Sequence, residues 1–584
     1  MRSPTRRQAL WILAAITAAG AAFRFYNLAW GAPYYHFHMD EHFVLGPADT
    51  LRNDVRAAAM GPKFFMYPPL MMYLINIVRS AYEALFHPLD LTVPGDQVTY
   101  MVLSRAIAAT FSTATILVAY AAATRVGGRL AGLLAAFFLA CAVIHLRDAH
   151  FATTDMPMVF FCVLTLWWSL RIVERGDMGS LLGAGVSVGA AVASKYTGGL
   201  VLGVVGVAYV LSPGRPHAPC PMRARVIWAL RGTIPIVAAV VTFLILDPLV
   251  LQYWDKFLLD VKQQITDPLT GVTRPMFMAQ FADLSSPRLY WFTNLLWWGL
   301  GPLLEVLGLL GVVWLLSRWN ARAAVAAAFP IIYFAIAGRT VAPMIRYSLP
   351  LAPALAVAAG VLGADLLRRT RGRAAGMVVV GVTVVGTAMY ALAYMNIFRQ
   401  PDSRLEASKW LVENVAPGSR ILVEPSQNTP PMGRYYTDTN FYDDYVLWGG
   451  DSRRQAERER NDYYHLYTLD AYRYLYADRY DDEEKGRYIA SRLAQADWIV
   501  MDDTYLRWYQ HLPASENAVL KQYYKDLFNG KLGFALVKDF KVRPSLCGWN
   551  INDDSAEFTF ALFDHPHVFI FRRFAQRGSL LTPG

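Results

Sequence analysis

Residues 10–30 read LWILAAITAAGAAFRFYNLAW, a run of bilayer length with one charge, standing behind Arg2, Arg6 and Arg7. A basic stretch ahead of an apolar one also opens a secretory signal. This run reaches Trp30 without a small-residue A-x-A exit, and more runs of its kind follow. It predicts a retained first transmembrane helix.

Working outward, similar runs fall at 100–123, 130–144, 156–172, 181–193, 196–211, 234–247, 291–316, 325–336, 347–367 and 374–394. With residues 10–30 they make about eleven spans. Alternating from a cytoplasmic N-terminus, the inner turns hold Arg125 and Arg129, Arg171 and Arg175, the arginines of 215–231, Arg318 and Arg322, and those of 368–373. Each carries at least two arginines, as orientation by positive charge requires. The C-terminal region then lies outside the plasma (inner) membrane. Residues 67–79 are apolar too, but as a span they would turn every arginine turn outward. They are read as a helix lying in the interface.

Composition agrees. Hydrophobic residues make up 55% and charged residues 17% of 584, a balance that excludes a soluble protein of this size. The net charge of +10 is spread over short loops and forms no basic stripe of the kind nucleic acid binds. Cys141, Cys162, Cys220 and Cys547 make no disulfide framework and no zinc spacing. Beyond residue 395 charges and tyrosines become frequent. A helix is predicted at 404–415, stopped by Pro417-Gly418, with strands at 420–424, 498–501 and 567–571. The expected architecture is a multi-span α-helical membrane domain over 1–395, with outer loops 31–99 and 248–290, and an extracytoplasmic α/β domain over 396–584.

Four constellations carry chemistry, all on the predicted outer face. Asp40-Glu41 follows the first span within His36-Phe-His-Met-Asp-Glu-His42, and a carboxylate there suits a general base, or is simply a solvated acidic loop. Arg147-Asp148-Ala-His150 leads to Thr154-Asp155 at the mouth of a span, where an ionisable group is costly and Asp155 serves function, helix capping or both. Lys195-Tyr196 lies between two apolar runs, suited to a lipid phosphate or to snorkelling. Arg346-Tyr347 with Pro350 opens a later span, and Arg105 and Arg24 are similar: each offers a phosphate fork or an interfacial anchor.

In their order these motifs resemble the GT-C glycosyltransferases, in the branch of protein O-mannosyltransferases and lipid A aminoarabinose transferases. The likeness runs through Asp40-Glu41, Pro68-Pro69-Leu70, Arg105, Thr154-Asp155, Lys195-Tyr196, Arg346-Tyr347 and the closing stretch from Asp564 to Phe571. It implies an inverting transfer from a polyprenyl-phosphate sugar to a hydroxyl of a glycan, lipid or protein. Asp40 would be the base, with Glu41 and Asp155 orienting it or the acceptor. Arg105, Lys195 and Arg346 would hold the departing phosphate, with His150, Tyr196 and Tyr347 as further substrate ligands. The chain departs from the aminoarabinose enzymes where Tyr67 replaces a lysine before Pro-Pro and Phe43 an arginine after Asp-Glu; Lys63 is a candidate substitute. No cofactor is expected; the alternative is a divalent cation on Asp40 and Asp155.

The tyrosines Tyr435, Tyr436, Tyr442, Tyr445, Tyr463, Tyr464 and Tyr467, with Trp448, suit sugar stacking or interface packing. His565 and His567, two apart on a predicted strand, would share one face and offer two metal ligands, although a pair without a third ligand is more often structural. A lipid or sugar transporter or flippase, or a lipid-binding sensor, is the reading outside enzymes.

Overall fold

The computed structural model describes residues 4–32, 38–53, 65–91, 93–216, 221–270, 276–369, 372–424, 426, 428–432, 464–469, 481–512 and 518–574. The chain forms two compact units. The first comprises Met1–Tyr35, Asp40–Thr270 and Ser286–Met395; the second comprises His36–Met39, Gly271–Ser285 and Asn396–Gly584.

Among the described residues the first unit is helical throughout its regular structure, and each apolar run of the sequence is mostly helix, the first ending at Phe25. Among the described residues, six helices are long and apolar enough to cross a bilayer, and two bent pairs also qualify. Met178–Ser194, Tyr196–Val210 and Ala321–Ala337 are shorter. Local chemistry starts several of them. Thr5 and Gln8 cap Arg6–Phe25 reciprocally, Asp177 accepts from the Ser180 N–H at 2.7 Å, and Asn320 from that of Ala323 at 3.0 Å. Small residues set the close crossings. A Cβ at Gly185 or Gly189 would strike the backbone of the helix Ile234–Leu246, and one at Gly311 the backbone at Ala358.

Two expected spans are broken. Residues 291–316 form two helices bent by 120° between Leu300 and Pro302. Gly301 there has φ of 80°, and Pro302 lacks an N–H, so the first helix ends where the second begins. Residues 130–144 bend by 61° after Ala140. The fully buried Arg24 takes up the ends this break exposes, donating to the carbonyls of Leu139 at 3.0 Å and Ala140 at 3.1 Å. It also reaches Gly20 O at 2.9 Å, Ser112 Oγ at 2.7 Å and His145 Nδ1 at 2.9 Å. The expectation that Arg24 resembles a phosphate fork is therefore corrected: it is a helix cap inside the bundle. A further difference is that Met222–Gly232, expected as an arginine-bearing turn, is helical and leads into Ile234–Leu246.

The arginine turns gather at one end of this unit. Arg125 and Arg322 both pair with Glu174, Arg318 and Arg368 with Asp365, and Arg129 reaches Pro4 O. Glu174 lies in the last turn of the helix Asp155–Arg175, so Asp155 sits at the opposite end, about 30 Å away at 1.5 Å per residue.

The second unit is built on a mixed sheet. Its strands are β1 Arg420–Val423, β2 His465–Thr468, β3 Trp498–Asp502, β4 Phe534–Phe540 and β7 Val568–Arg573, with a separate hairpin of β5 Ser545–Leu546 and β6 Trp549–Asn550. The order is β2-β1-β3-β7-β4, parallel from β2 to β3 and antiparallel beyond. Leu411 of the helix Ser403–Asn414 packs with Ile421, Val500 and Ile570. Tyr464 is buried with its hydroxyl on Leu411 O at 3.0 Å, a packing role; 435, 436, 442, 445, 448 and 463 lie outside the described residues.

His565 and His567 do not share a face. His565 is fully buried between Asp564 and Asp553, at 2.7 and 2.6 Å, while His567 bonds Asp539 at 2.8 Å, so the paired-ligand expectation is corrected. Burial pushes His565 down, but the two carboxylates outweigh it and hold the imidazole up at about 9. Glu424, at the end of β1, accepts from Tyr523 and Tyr524 at 3.0 Å each, yet burial dominates and raises it to about 8.

Both groups bind protons more tightly folded than unfolded, so each stabilises this unit when protonated. The Glu424 contribution is complete below 4.5 and lost as pH rises through about 8; that of His565 is complete below 6.5 and lost through about 9. Amide protection of β3 and β7 in the full chain, corrected for intrinsic exchange, is expected to fall from pH 5 to pH 9, and Glu424→Gln to flatten its lower half. Protection that stays level across that range would contradict both assignments.

Candidate active site

The site begins where the sequence suggested a loop. Asp40 and Glu41 occupy the first turn of the helix Met39–Asn53, where negative charge suits the helix dipole. Both are buried, which removes the solvated-loop alternative. Neighbours on a helix point about 100° apart, and these two acids face different partners.

Glu41 faces inward. Arg105, on the helix Pro94–Gly127, grips both its oxygens, Nε to Oε1 at 2.7 Å and Nη2 to Oε2 at 2.8 Å. The same guanidinium donates to Leu28 O at 3.0 Å and Trp30 O at 2.9 Å, and Glu41 accepts from the Ala152 N–H at 2.9 Å. Arg105 was expected to hold phosphate. Its fork is closed on Glu41, so this expectation is corrected: Arg105 is a clamp for the helix that carries Asp40.

Asp40 faces the other way. Tyr67 donates to its Oδ1 at 2.9 Å, and Arg346 Nη1 pairs with Oδ2. Tyr67, read as a substrate ligand, is a neutral donor to the acid. Burial first, and the Asp40 charge second, push its phenol well above the usual range, so it stays protonated. Phe43 stacks on its ring at 5.9 Å.

Beside this pair, Lys195 Nζ bonds Asp155 Oδ1 at 2.8 Å. The charge of Asp155 acts on both Tyr67 and Arg346, so the two acids belong to one cluster. Arg147 and Asp148, bonded at 3.1 Å, extend it. The cations keep an open edge: the side chains of Lys195 and Arg346 are 18% and 22% exposed, those of Asp155 and Asp40 only 4% and 8%. The buried Nε of Arg346 has no acceptor among the described residues.

Three expected ligands are structural in this geometry. His150 directs Nδ1 to Leu146 O at 2.8 Å and Nε2 to Tyr26 O at 3.2 Å, so neither nitrogen faces a substrate. Tyr196 donates to Phe65 O at 2.8 Å, while the Phe65 N–H meets Asp260 at 2.9 Å, which pins the segment leading to Tyr67. Tyr347 lends its carbonyl to Tyr333 at 2.9 Å and its ring to the Arg346 guanidinium at 5.8 Å. Lys63 lies outside the described residues. The sequence reading missed Asp247, buried at the end of Ile234–Leu246 with Oδ2 lacking a partner among the described residues. An acid closing an apolar run was the available signal. Asp40 and Asp155, the pair named for a divalent ion, each meet a cationic side chain, and no three metal-ligating side chains converge among the described residues.

Residues 98–245 match the family model described as dolichyl-phosphate-mannose-protein mannosyltransferase. The match includes Arg105, Asp155 and Lys195 but neither Asp40 nor Arg346. No curated protein matches the sequence. Among solved structures, the apo oligosaccharyltransferase of Archaeoglobus fulgidus is 12% identical, with a TM-score of 0.51 over 89% of this chain and 73% of its own. ArnT of Cupriavidus metallidurans, bound to undecaprenyl phosphate, is 14% identical over 99% and 100%, at TM-score 0.48. The protein O-mannosyltransferase complex of S. cerevisiae, bound to the sugar donor, is 17% identical over 43% and 35%, at TM-score 0.33. At these identities the likeness is one of fold, and the archaeal enzyme carries it. The apolar helices describe a multi-pass membrane protein, whose fold is like that of the archaeal oligosaccharyltransferase and whose central segment matches the mannosyltransferase family model.

Proposed function

We propose that this protein transfers a hexosyl or pentosyl unit from a polyprenyl-phosphate donor to a hydroxyl of a glycan, lipid or protein acceptor, on the outer face of the membrane and with inversion. The observation that carries the reading is a carboxylate, Asp40, held between Tyr67 and Arg346 beside the Asp155–Lys195 pair. One charged cluster at a membrane boundary thus offers both a base and partly open cations.

In the proposed step the acceptor oxygen attacks the anomeric carbon from the face opposite the phosphate. Its proton passes to Asp40 Oδ2. The bond from the anomeric carbon to the phosphate oxygen breaks, and the electron pair leaves with the polyprenyl phosphate. That leaving group needs charge neutralisation more than a proton, and Arg346 and Lys195 supply it. The oxocarbenium character of the reacting carbon lets a weakly activated hydroxyl succeed.

The pairing of Asp40 with Arg346 adds an ordering principle. A donor phosphate at Arg346 competes with Asp40 for the guanidinium, whose buried Nε has no acceptor among the described residues. Donor binding then releases Oδ2 to take up the acceptor hydroxyl. Tyr67 keeps Oδ1 in place during this exchange. Asp155 holds Lys195 and orients the acceptor.

Asp40→Asn is expected to lower turnover by at least about 10²-fold, measured as polyprenyl phosphate released from a panel of polyprenyl-phosphate sugars. The same variant is expected to bind polyprenyl phosphate more tightly than wild type, since Arg346 loses its competitor. Turnover unaffected by the change would remove Asp40 as base, and weaker binding would remove the competition. A donor that binds to wild type but is moved across vesicles rather than consumed would favour the transporter reading.

The two kinds of cation separate in a second pair of variants. Arg105→Lys breaks a buried bidentate pair and is expected to cost about 3 kcal/mol of stability, with donor affinity retained in the folded fraction. Lys195→Met is expected to weaken donor binding about tenfold, the loss of one partly screened charge contact, with the thermal midpoint little changed. Thermal unfolding and donor titration in one detergent decide it. An Arg105→Lys protein of normal stability that had lost its donor would restore Arg105 as a phosphate ligand.

A further inference from the structure

The β5–β6 hairpin sets out a large, mostly exposed aromatic side chain, Trp549. Its strands are two residues each, with Leu546 opposite Trp549 and Ser545 opposite Asn550. The loop is Cys547-Gly548, with φ of 51° and 84°. Left-handed backbone at both central positions defines the tight turn that matches strand twist. At this tip Trp549 is 84% exposed. A tryptophan left in water forfeits a large hydrophobic gain, while one in a lipid headgroup layer buries its ring and keeps its N–H wet.

The hairpin's attachment says which surface it meets. Ser545 Oγ accepts from Asn396 Nδ2 at 2.8 Å and from Gln400 Nε2 at 3.4 Å. Asn396 is the residue after the apolar helix Arg373–Met395. The base of the hairpin is thus tied to the point where that helix leaves the membrane. Two strand residues carry the chain only about 7 Å further, a span comparable with one headgroup layer. At the arginine-rich end of the first unit, Trp319 stands in the turn between the helices Pro302–Ser317 and Ala321–Ala337 and is 94% exposed.

We propose that the 545–550 hairpin is a membrane-interface anchor, with Trp549 seated among lipid headgroups where the helix Arg373–Met395 emerges. Charge plays little part. The nearby cations are neutralised, Arg543 by Asp553 and Asp554 and Lys541 by Asp554. The anchor is therefore indifferent to anionic lipid. It fixes the second unit at its first residues through a contact with lipid.

Cys547 gives the test its handle, since it is exposed while Cys141 and Cys162 are buried. The full chain with Cys220→Ser is spin-labelled at Cys547 and reconstituted in vesicles of phosphatidylcholine, alone or with phosphatidylglycerol. A second protein, with Cys547→Ser and Glu483→Cys, carries the label on the exposed start of the helix Asp482–Gln495. The ratio of collisions with oxygen to those with a water-soluble nickel chelate is expected to be several-fold higher at 547 than at 483, and equal in both lipids. Trp549→Ser is expected to bring the ratio at 547 down to the value at 483. Equal ratios at the two sites would overturn the proposal, as would a high ratio that survives Trp549→Ser or that needs phosphatidylglycerol. Dipolar broadening between labels at 547 would assign the tip to a second copy of this chain and overturn it too.

Discussion

The bidentate pair of Arg105 with Glu41 is the join on which the membrane unit depends. Through one guanidinium and one carboxylate it ties the exit of the first span, at Leu28 and Trp30, to the helix Met39–Asn53, to the helix Pro94–Gly127 and to the backbone at Ala152. Charges buried in an apolar bundle are tolerated only with every strong donor and acceptor answered. Geometry that satisfies Glu41 completely leaves its neighbour one place to go. Asp40 turns toward Arg346 because Glu41 is turned toward Arg105.

Two grades of buried cation follow. Arg24 and Arg105 are enclosed, and their donors end on carbonyls and a carboxylate of their own unit. Lys195 and Arg346 pair with acids yet keep an exposed edge. The first kind holds helices together where the backbone breaks or the chain re-enters. In the proposed reading the second kind exchanges its acid for a ligand anion, because solvent already reaches the cation and lowers the cost of opening the pair. A rigid cluster and an exchangeable one lie side by side, and the residue between them is Asp40.

Much of this was legible in the sequence. Asp155, Lys195 and Arg346 could be found because each sits where an apolar run starts or stops, and a charge at such a boundary is conspicuous. The arginine turns were legible for the same reason, and the structure brings them to one end. The substitution of Tyr67 for lysine was visible, but its meaning was not: a phenol in place of an ammonium donates to the acid without competing for its charge. The break at Gly301-Pro302 carried a local signal, a glycine followed by a proline, that mean hydropathy averages away. The break after Ala140 carried none, since what stabilises it is Arg24, more than a hundred residues earlier.

What the sequence by itself determined is whatever depends on neighbours along the chain: which segments are apolar enough to enter a bilayer, three strands of the second unit (within 420–424, 498–501 and 567–571), and where along the chain the arginines cluster. Hydropathy, capping and strand alternation act over a few residues, so they can be read in order. Only the tertiary structure decided the partner of each charge. Asp40 and Arg346 lie 306 residues apart, and Glu41 and Arg105 lie 64 apart. Arginines alike in sequence context became a cap, a clamp and a candidate phosphate ligand, because an ion pair in a low-dielectric interior is set by which acid the packing of helices brings within 3 Å, and no local pattern records that distance.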